Sequence, residues 1–562
     1  MDKTVLIRKT SYGSIEGSYM QHTDTIRWLG VPYAAPPVGG LRWRAPAGHK
    51  GWTGIRPANF FAPESVQMGK EGVFGSEDCL YLNIYRPAGA EEPLPIFFFI
   101  HGGNNQTDSG RMLDGDSMAQ GLNAVVVTVN LRLNSLGWLT LPSLKTGNPL
   151  EDSGNYGLLD ILAALDWIRA NAGVFGGSLE NITACGYSSG ARDLLCMLIS
   201  PLFKDKFARA VTFSGGFTTT QPAFGMHTAA RAIAPLAVED KMASNEEAAY
   251  EWLLTPGNDV REWLCSVSAE RFGPLMAGAA IRMRVFPHLF ADGTVIPEEG
   301  FEVLKEGKCI NVPMLCLSGG HEFDFPLNND PLFKNADFSD HSVMEEYKFA
   351  TKYGGLLFGY FNAEQNAECF SCVEGHAPVY AGRCLWGMDP KVTDEYAAMR
   401  MGGTHGLDLY LVMGTERVDY GLTENVWNRK NLAGRKALRQ IYLGYLRQFI
   451  RTGNPNQNGL PLWKPWTGSG SLMLFDADCE HAAVRLSESK HSSAGIRGCA
   501  SDEDIHSAAE MSICIVNESK VLEMLLNDRS LPEPRKEFIL KHVLSGRFFS
   551  KHLDLFTQKY YP

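Results

Sequence analysis

The stretch ITACGYSSGARDLLCML, residues 182–198, decides how this chain folds. Its β-rich first half predicts a strand and its second half a helix, with the pattern GYSSG at 186–190 between them. A serine in that context lies on a tight strand-to-helix turn, which needs small flanking residues and raises the Ser188 hydroxyl above the sheet edge. The N–H groups at the start of the helix suit a developing negative charge. The alternative, a turn serine that only caps a helix, is disfavoured by this context.

Short apolar runs alternate with amphipathic helical patterns along most of the chain. A run such as AVVVTVN, residues 124–130, is apolar throughout, as expected for a strand covered by helices on both faces. Helical patterns lie between such runs, for example at 157–175 and 431–453. The alternation predicts an α/β protein with a wound sheet. The predicted strands are 96–100, 124–130, 182–186, 208–213, 312–317, 378–385 and 472–475.

The pattern along the chain predicts three segments. Residues 1–478 are predicted to form the main α/β domain. Residues 479–504 are polar and serine-rich, and we expect a surface loop there. Residues 505–562 contain apolar and aromatic side chains in helical patterns, which predicts a helical extension packed on the same domain.

Composition narrows the class of protein. The 562 residues are 44% hydrophobic and carry a formal net charge of −11, which excludes a disordered or fibrous chain and argues against nucleic acid as a partner. The longest apolar runs, 93–100 and 123–129, are far shorter than the roughly 18–20 residues of a membrane-spanning helix. The first residues lack the apolar core and cleavage site of a signal peptide, so we expect twelve reduced cysteines and a cytoplasmic protein without stable membrane insertion.

Several blocks outside the serine motif resemble those of one enzyme family. They are LGVPYAAPPVGGLRW at 29–43, EDCLYLN at 77–83 and FGG at 175–177. Together with GYSSG, these blocks are similar to the signatures of the type-B carboxylesterases, a family that includes cholinesterases and bile-salt-type lipases. The resemblance covers roughly residues 10–478. It implies the α/β-hydrolase fold, with a large, mostly parallel central sheet and helices on both faces, and a catalytic domain over residues 1–478 that needs no cofactor and no metal.

A serine is a poor nucleophile without a general base. Of the fourteen histidines, His405 lies between glycines in MGGTHGLDLYLVMG, residues 401–414, which resembles the catalytic histidine motif of the family. Without that resemblance, a histidine flanked by glycines is more often a loop residue. The order serine, acid, histidine along the chain is that of the α/β-hydrolase fold.

The acid that orients the histidine is expected between Ser188 and His405. In VPMLCLSGGHEFDF, residues 312–325, an apolar strand ends in two glycines, and the family resemblance aligns the acid with Glu322. Asp324 is the alternative, because residues 322 and 324 share a face if the chain stays extended. We favour Glu322 from the motif register.

The oxyanion hole is expected in FFFIHGGNN, residues 97–105, where glycines after a strand let the backbone approach a substrate. The family usually has three glycines here, and this chain has Asn104 in the third position. The resemblance makes the N–H groups of Gly103, Asn104 and Ser189 the donors. Asparagine tolerates the left-handed backbone conformation better than most residues, so the hole can form.

Departures from the family pattern also carry information. Secreted members usually pair the cysteine of EDCLYLN with an upstream cysteine, but none precedes Cys79 here, and Ser65 stands where that partner would be. Cholinesterases hold a quaternary ammonium on a tryptophan shortly before this block, and residues 66–75 contain none, which argues against choline esters. Tyr187 replaces the glutamate usual beside the nucleophile.

A group of cysteines and a histidine in residues 369–384 raises the alternative of a metal site. Cys369 and Cys372, with His376 and Cys384 following, superficially suggest zinc, but their spacing fits no standard zinc motif. Scattered core cysteines are the favoured interpretation.

The sequence therefore predicts a serine carboxylesterase acting on a small-molecule ester, with Ser188 as nucleophile, His405 as general base and Glu322 as the orienting acid. A lipase, an amidase or a transacylase on the same triad is the alternative, because triad chemistry does not distinguish them. A non-catalytic, adhesion-type relative on the same fold is the least favoured alternative, since such proteins typically lose the nucleophile.

Overall fold

The computed structural model describes residues 5–91, 93–276, 287–414, 423–467, 470–487, 518–547 and 549–561. The chain forms two compact units. The first comprises Met1–Ala210 and Thr218–Asn311, and the second comprises Val211–Phe217 and Val312–Pro562.

The strands of the first unit lie in its sequence up to the serine motif. They are β1 (Ile7–Thr10), β2 (Gly13–Glu16), β3 (Ser18–Met20), β4 (Thr25–Pro32), β5 (Ile55–Pro57), β6 (Gln67–Gly69), β7 (Gly72–Phe74), β8 (Tyr81–Pro87), β9 (Leu94–Ile100), β10 (Val125–Val129) and β11 (Gly177–Tyr187). β12 (Arg209–Phe213) carries the chain from the first unit into the second.

The main sheet of the first unit has the strand order β3-β4-β8-β10-β9-β11. β9 pairs in parallel with β10 and β11, whereas β8 pairs antiparallel with β4 and β10. The register sets Phe98 of β9 between Val127 and Ala184. Every residue of β9 and β10 is buried, which explains why these strands are apolar runs rather than alternating ones. Because β9 and β11 run in parallel, the loops that follow them leave the same edge of the sheet.

The first unit also contains α-helices and short 3₁₀ turns. The α-helices are α1 (Gly115–Leu122), α2 (Asn134–Gly137), α3 (Pro149–Asp152), α4 (Tyr156–Asn171), α5 (Ser189–Ile199), α6 (Pro222–Glu239), α7 (Glu246–Leu253), α8 (Asn258–Ser266) and α9 (Ala269–Phe272). The 3₁₀ turns are Gly39–Leu41, Pro142–Leu144, Ala172–Phe175, Pro201–Phe203, Gly273–Met276 and Gly300–Glu306. All eleven residues of α5 are buried, so this helix is part of the core.

The second unit has its own parallel strands, β13 (Met314–Gly319), β14 (Val379–Cys384) and β15 (Leu472–Ala477), with β16 (Ala482–Ser487) antiparallel to β15. Its α-helices are α10 (Asp324–Asn328), α11 (His341–Gly359), α12 (Gln365–Ser371), α13 (Glu395–Met401), α14 (Leu407–Met413), α15 (Thr423–Val426), α16 (Leu432–Thr452), α17 (Glu518–Asn527), α18 (Glu533–Ile539) and α19 (Lys551–Tyr560). Turns of π-helix lie at Tyr360–Glu364 and Leu540–Leu544.

The seven predicted strands are confirmed as β9 to β15, with ends that differ by a few residues. The predicted helices 157–175 and 431–453 are confirmed as α4, with the 3₁₀ turn after it, and as α16.

The surface loop predicted at 479–504 is wrong for Ala482–Ser487, which form the edge strand β16. An edge strand is paired on one side only, so its polar residues can face solvent and the sequence is not recognisably apolar. Residues 488–504 lie outside the described residues.

The C-terminal extension contains α17, α18 and α19, and it contacts α11 within the second unit. Arg535 forms an ion pair with Glu346 at 2.6 Å, and the Tyr353 hydroxyl donates to Asp528 at 2.5 Å. The prediction of a single catalytic domain over residues 1–478 stays a prediction.

Cys79 and Ser65 meet in the first unit. The Cys79 thiol is fully buried and hydrogen-bonded to Ser65, and burial raises its pKa to about 12. The Ser65 Oγ accepts a hydrogen bond from the Leu133 N–H at 3.2 Å. The ten cysteines in the described ranges form no disulfide.

Ser65→Cys should allow a disulfide between position 65 and Cys79, because the two side chains are in contact. Closing the 15-residue loop 65–79 should stabilise the protein by about 3 kcal/mol against urea. The measurements are the unfolding midpoint, with and without reductant, and the mass after alkylation. Cys79→Ala in the Ser65→Cys background is the control and should remove the gain. A midpoint that does not respond to reductant would contradict the contact.

Candidate active site

Ser188 lies between β11 and α5 in a strained backbone conformation, with φ +55° and ψ −116°. The neighbouring glycines are sterically required. A Cβ at Gly186 would lie 2.1 Å from the Gly190 oxygen, and a Cβ at Gly190 would lie 2.3 Å from the Ile100 oxygen. A non-glycine residue at positive φ is uncommon and marks functional turns. The conformation is that expected of a nucleophilic serine on a strand-to-helix turn.

The loop after β9 adjoins this turn within the first unit. A Cβ built on Gly102 would lie only 3.1 Å from the Ser188 Cβ. Gly103, Asn104 and Asn105 all have left-handed backbone, with φ of +88°, +56° and +58°. A Cβ at Gly103 would lie 2.1 Å from the Thr107 oxygen, so only glycine fits there. This segment, Gly102–Asn105, is called the oxyanion loop below.

The first turns of α5 hold the oxyanion loop by side-chain hydrogen bonds. The Asn105 N–H donates to Ser189 Oγ at 3.0 Å, and Asn105 Nδ2 donates to Asp193 Oδ1 at 2.8 Å. Arg192 Nη1 donates to Asn104 Oδ1 at 3.0 Å. The structure thus brings together the predicted residues Ser188, Ser189 and Asn104. It also adds a polar frame, formed by Asn105, Arg192 and Asp193, that the sequence analysis missed.

Glu322 lies three residues beyond the end of β13 and is fully buried. Its carboxylate accepts four hydrogen bonds in the second unit. The Gly319 N–H donates at 2.5 Å, Asn362 Nδ2 at 2.5 Å, and the Ser214 hydroxyl also donates. The fourth partner is His405 Nδ1, at 3.1 Å. Four donors match the acceptor capacity of an ionised carboxylate, so its place and orientation are well determined.

His405 precedes α14 on a loop that touches the end of β13. The His321 N–H donates to the Gly403 oxygen at 2.9 Å, and a Cβ at Gly319 would lie 2.2 Å from that oxygen. The imidazole stacks on Phe325 and Phe358, with ring centroids 5.5 and 6.0 Å away. When Nδ1–H donates to a carboxylate, Nε2 carries the lone pair and can act as a base.

Asp324, the alternative acid, is the first residue of α10 and points elsewhere. Its Oδ1 accepts from the Thr404 hydroxyl at 2.7 Å. Complete burial raises the pKa of this carboxyl well above its ordinary value, which favours a neutral acid. The contact of Glu322 with His405 supports Glu322 as the orienting acid.

Ser214 and Asn362, which hold Glu322, were not found from the sequence. They lie 108 and 40 residues from Glu322, and neither belongs to a local motif. Asn362 belongs to the π-helical turn Tyr360–Glu364, a backbone irregularity that is frequent at functional sites. In the same turn, Glu364 forms a buried ion pair with Arg383 of β14, 2.6 Å apart.

The described part of the chain shows neither an arranged set of metal ligands nor a membrane-spanning helix. No group of three or more histidine, cysteine, aspartate or glutamate side chains is arranged there to hold a metal ion. Cys372 is exposed, just beyond the end of α12. No helix in the described ranges has the length and apolar character needed to cross a membrane.

The chain is similar in sequence to known esterases. Residues 4–370 match the family model described as the Carboxylesterase family. Fumonisin B1 esterase of Sphingopyxis macrogoltabida is 42% identical over 223 residues, which are 38% of this chain and 41% of that protein. Carboxylesterase 3 of Homo sapiens is 32% identical over 335 residues, 56% of this chain and 55% of its own length. The chain thus spans about half the length of these relatives.

Longer matches have lower identity. Liver carboxylesterase 1 of Oryctolagus cuniculus is 26% identical over 516 residues, covering 82% of this chain and 87% of that protein. Among solved structures, a carboxylesterase of Geobacillus stearothermophilus matches with a TM-score of 0.67 and 26% identity, covering 86% of this chain and 98% of that one. A PNB esterase matches with a TM-score of 0.65 and 23% identity over the same shares.

Proposed function

Because the chain belongs to the carboxylesterase family, we propose that it hydrolyses carboxylic esters through an acyl-enzyme on Ser188. The resemblance to that family and the α/β-hydrolase fold, both expected from the sequence, are confirmed. The substrate in this proposal is a small-molecule ester, and the reaction uses no cofactor.

In the acylation step, His405 Nε2 takes the Ser188 proton while Oγ forms a bond to the ester carbonyl carbon. The carbonyl electron pair moves onto oxygen, where the N–H groups of Gly103, Asn104 and Ser189 stabilise it. The tetrahedral intermediate collapses as the C–O bond to the alcohol breaks, and the alcohol leaves with the proton from His405. Glu322 stabilises the imidazolium in between.

In the deacylation step, water replaces the alcohol. His405 takes a proton from water, the hydroxide attacks the acyl carbon, and the same oxyanion donors hold the second intermediate. Breaking the bond to Ser188 Oγ releases the carboxylic acid, and Oγ recovers its proton from His405. The protein ends in its starting state.

The observation that carries this proposal is the buried pair of Glu322 and His405, 3.1 Å apart, with three further donors on the carboxylate. A carboxylate held this rigidly selects the histidine tautomer whose other nitrogen is a base. The strained conformation of Ser188 supports the nucleophile.

The proposal is tested with p-nitrophenyl esters of increasing acyl length, triacylglycerol emulsions and a p-nitroanilide. We expect turnover of the acetate and the butyrate, and a fluorophosphonate adduct on the peptide that contains Ser188. A rate that rises steeply with long acyl chains at an oil–water interface would favour the lipase alternative. Cleavage of the p-nitroanilide at a rate comparable to that of the esters would favour the amidase alternative. Transacylation is measured by adding an alcohol acceptor. No turnover and no labelling of Ser188 would leave the non-catalytic alternative.

A cytoplasmic location is also a proposal. It is supported by the buried Cys79 thiol, which contacts Ser65 where the family resemblance implies a cysteine in secreted members.

A further inference from the structure

The oxyanion loop of this chain carries two asparagines in left-handed backbone, at φ +56° and +58°. Left-handed backbone is unfavourable for most L-residues, and asparagine tolerates it better because its side chain can form local hydrogen bonds. Unlike a glycine, Asn104 also has a side chain that must be directed away from the space beside Ser188. Something in the structure has to hold that side chain.

Arg192 holds it, from the first turn of α5. Its Nη1 donates to Asn104 Oδ1 at 3.0 Å across a sequence separation of 88 residues. Arg192 is only 4% exposed, so this is a bond of the protein interior and not a surface contact. A hydrogen bond from a charged donor is roughly twice as strong as one between neutral groups.

The neighbouring asparagine is held by the same helix. Asn105 donates to Asp193 Oδ1 and to Ser189 Oγ, at 2.8 and 3.0 Å. Arg192 and Asp193 are both buried, and this burial lowers the pKa of the Arg192 guanidinium to about 10 and raises that of the Asp193 carboxyl to about 7. The helix that begins next to the nucleophile therefore also sets the geometry of the loop beside it.

We propose that Arg192 is a positioning residue that orients Asn104, so that the Asn104 N–H points at the developing oxyanion during ester hydrolysis. This inference rests on the function proposed above. Arg192 acts through Asn104, whose side chain it holds with a charged hydrogen-bond donor. This role is needed because residue 104 is an asparagine, whereas a glycine at that position would have no side chain to hold.

The test is a double-mutant cycle between positions 192 and 104. Arg192→Met removes the donor and the charge, whereas Arg192→Lys keeps a charged N–H donor on a side chain only one atom shorter. Each is made in the natural background and in Asn104→Gly, and kcat and KM are measured with p-nitrophenyl butyrate. The cycle isolates the coupling between the two side chains.

We expect Arg192→Met to lower kcat about 30-fold with KM within about threefold, less than the roughly 10²–10³-fold loss when an oxyanion donor is removed outright. Arg192→Lys should recover most of that loss. In the Asn104→Gly background, Arg192→Met and Arg192→Lys should give the same kcat within about threefold, because no side chain is left to hold.

Arg86→Met is the matched control, since Arg86 is equally buried, at 4% exposure, and bonds backbone oxygens of Pro87 and Phe175 in the same unit. Its kcat per folded molecule should equal that of the parent, with folding monitored by thermal unfolding. Equal losses from Arg192→Met in both backgrounds, or no loss in either, would overturn the inference. If Arg192→Met does not fold, a folded Arg192→Lys with a loss above tenfold would overturn it. An unmodified protein without esterase activity would instead refute the proposed function.

Discussion

Ser188→Ala should lower kcat for p-nitrophenyl acetate by about 10⁶-fold, the loss typical when the nucleophile of a serine hydrolase is removed. No covalent intermediate can form without Oγ, and the remaining rate comes from the oxyanion donors and substrate binding alone. The fold should be unchanged, because alanine meets the same backbone conformation, φ +55°, as serine. Steady-state kinetics and thermal unfolding measure the two effects separately.

Ser200→Ala is the matched control for that experiment. Ser200 is a buried serine at the other end of α5, so its replacement tests whether loss of any hydroxyl on this helix reduces turnover. Its kcat should equal that of the unmodified protein. If Ser188→Ala hydrolysed the ester at the rate of Ser200→Ala, the nucleophile would be another residue.

Glu322→Gln should lower kcat about 10⁴-fold, as expected when the group that orients the histidine becomes a neutral amide. The amide keeps the shape of the carboxylate, but it cannot stabilise the imidazolium, and its NH₂ group favours the wrong histidine tautomer. In either orientation of the amide, its NH₂ group would also face a donor that now binds a carboxylate oxygen, either the Ser214 hydroxyl or Asn362 Nδ2. Single-turnover kinetics should show that acylation itself is slow.

Asp324→Asn provides the comparison two residues away. Burial raises the pKa of Asp324, so the natural side chain is favoured in its neutral form, and asparagine can still accept from Thr404. We therefore expect kcat to fall less than about tenfold. A larger loss at Asp324 than at Glu322 would show that the motif register, and the acid assigned from it, are wrong.

The sequence by itself determined the positions of the seven strands β9 to β15, since strands buried on both faces are continuous apolar runs. It also placed Ser188, because the requirement for glycine around a tight turn is local, as the short distances at Gly186 and Gly190 show. Glu322 and His405 were proposed from motifs that lie at strand and helix ends, which are also local features.

Tertiary structure alone decided what holds those groups. Ser214 and Asn362 bond Glu322 from 108 and 40 residues away, and Arg192 reaches Asn104 across 88 residues. Such partners leave no pattern in the neighbouring sequence, because they are set by how strands and helices pack and not by backbone preference. The edge strand β16 was missed for a related reason: its pairing with β15, and not its own composition, makes it a strand.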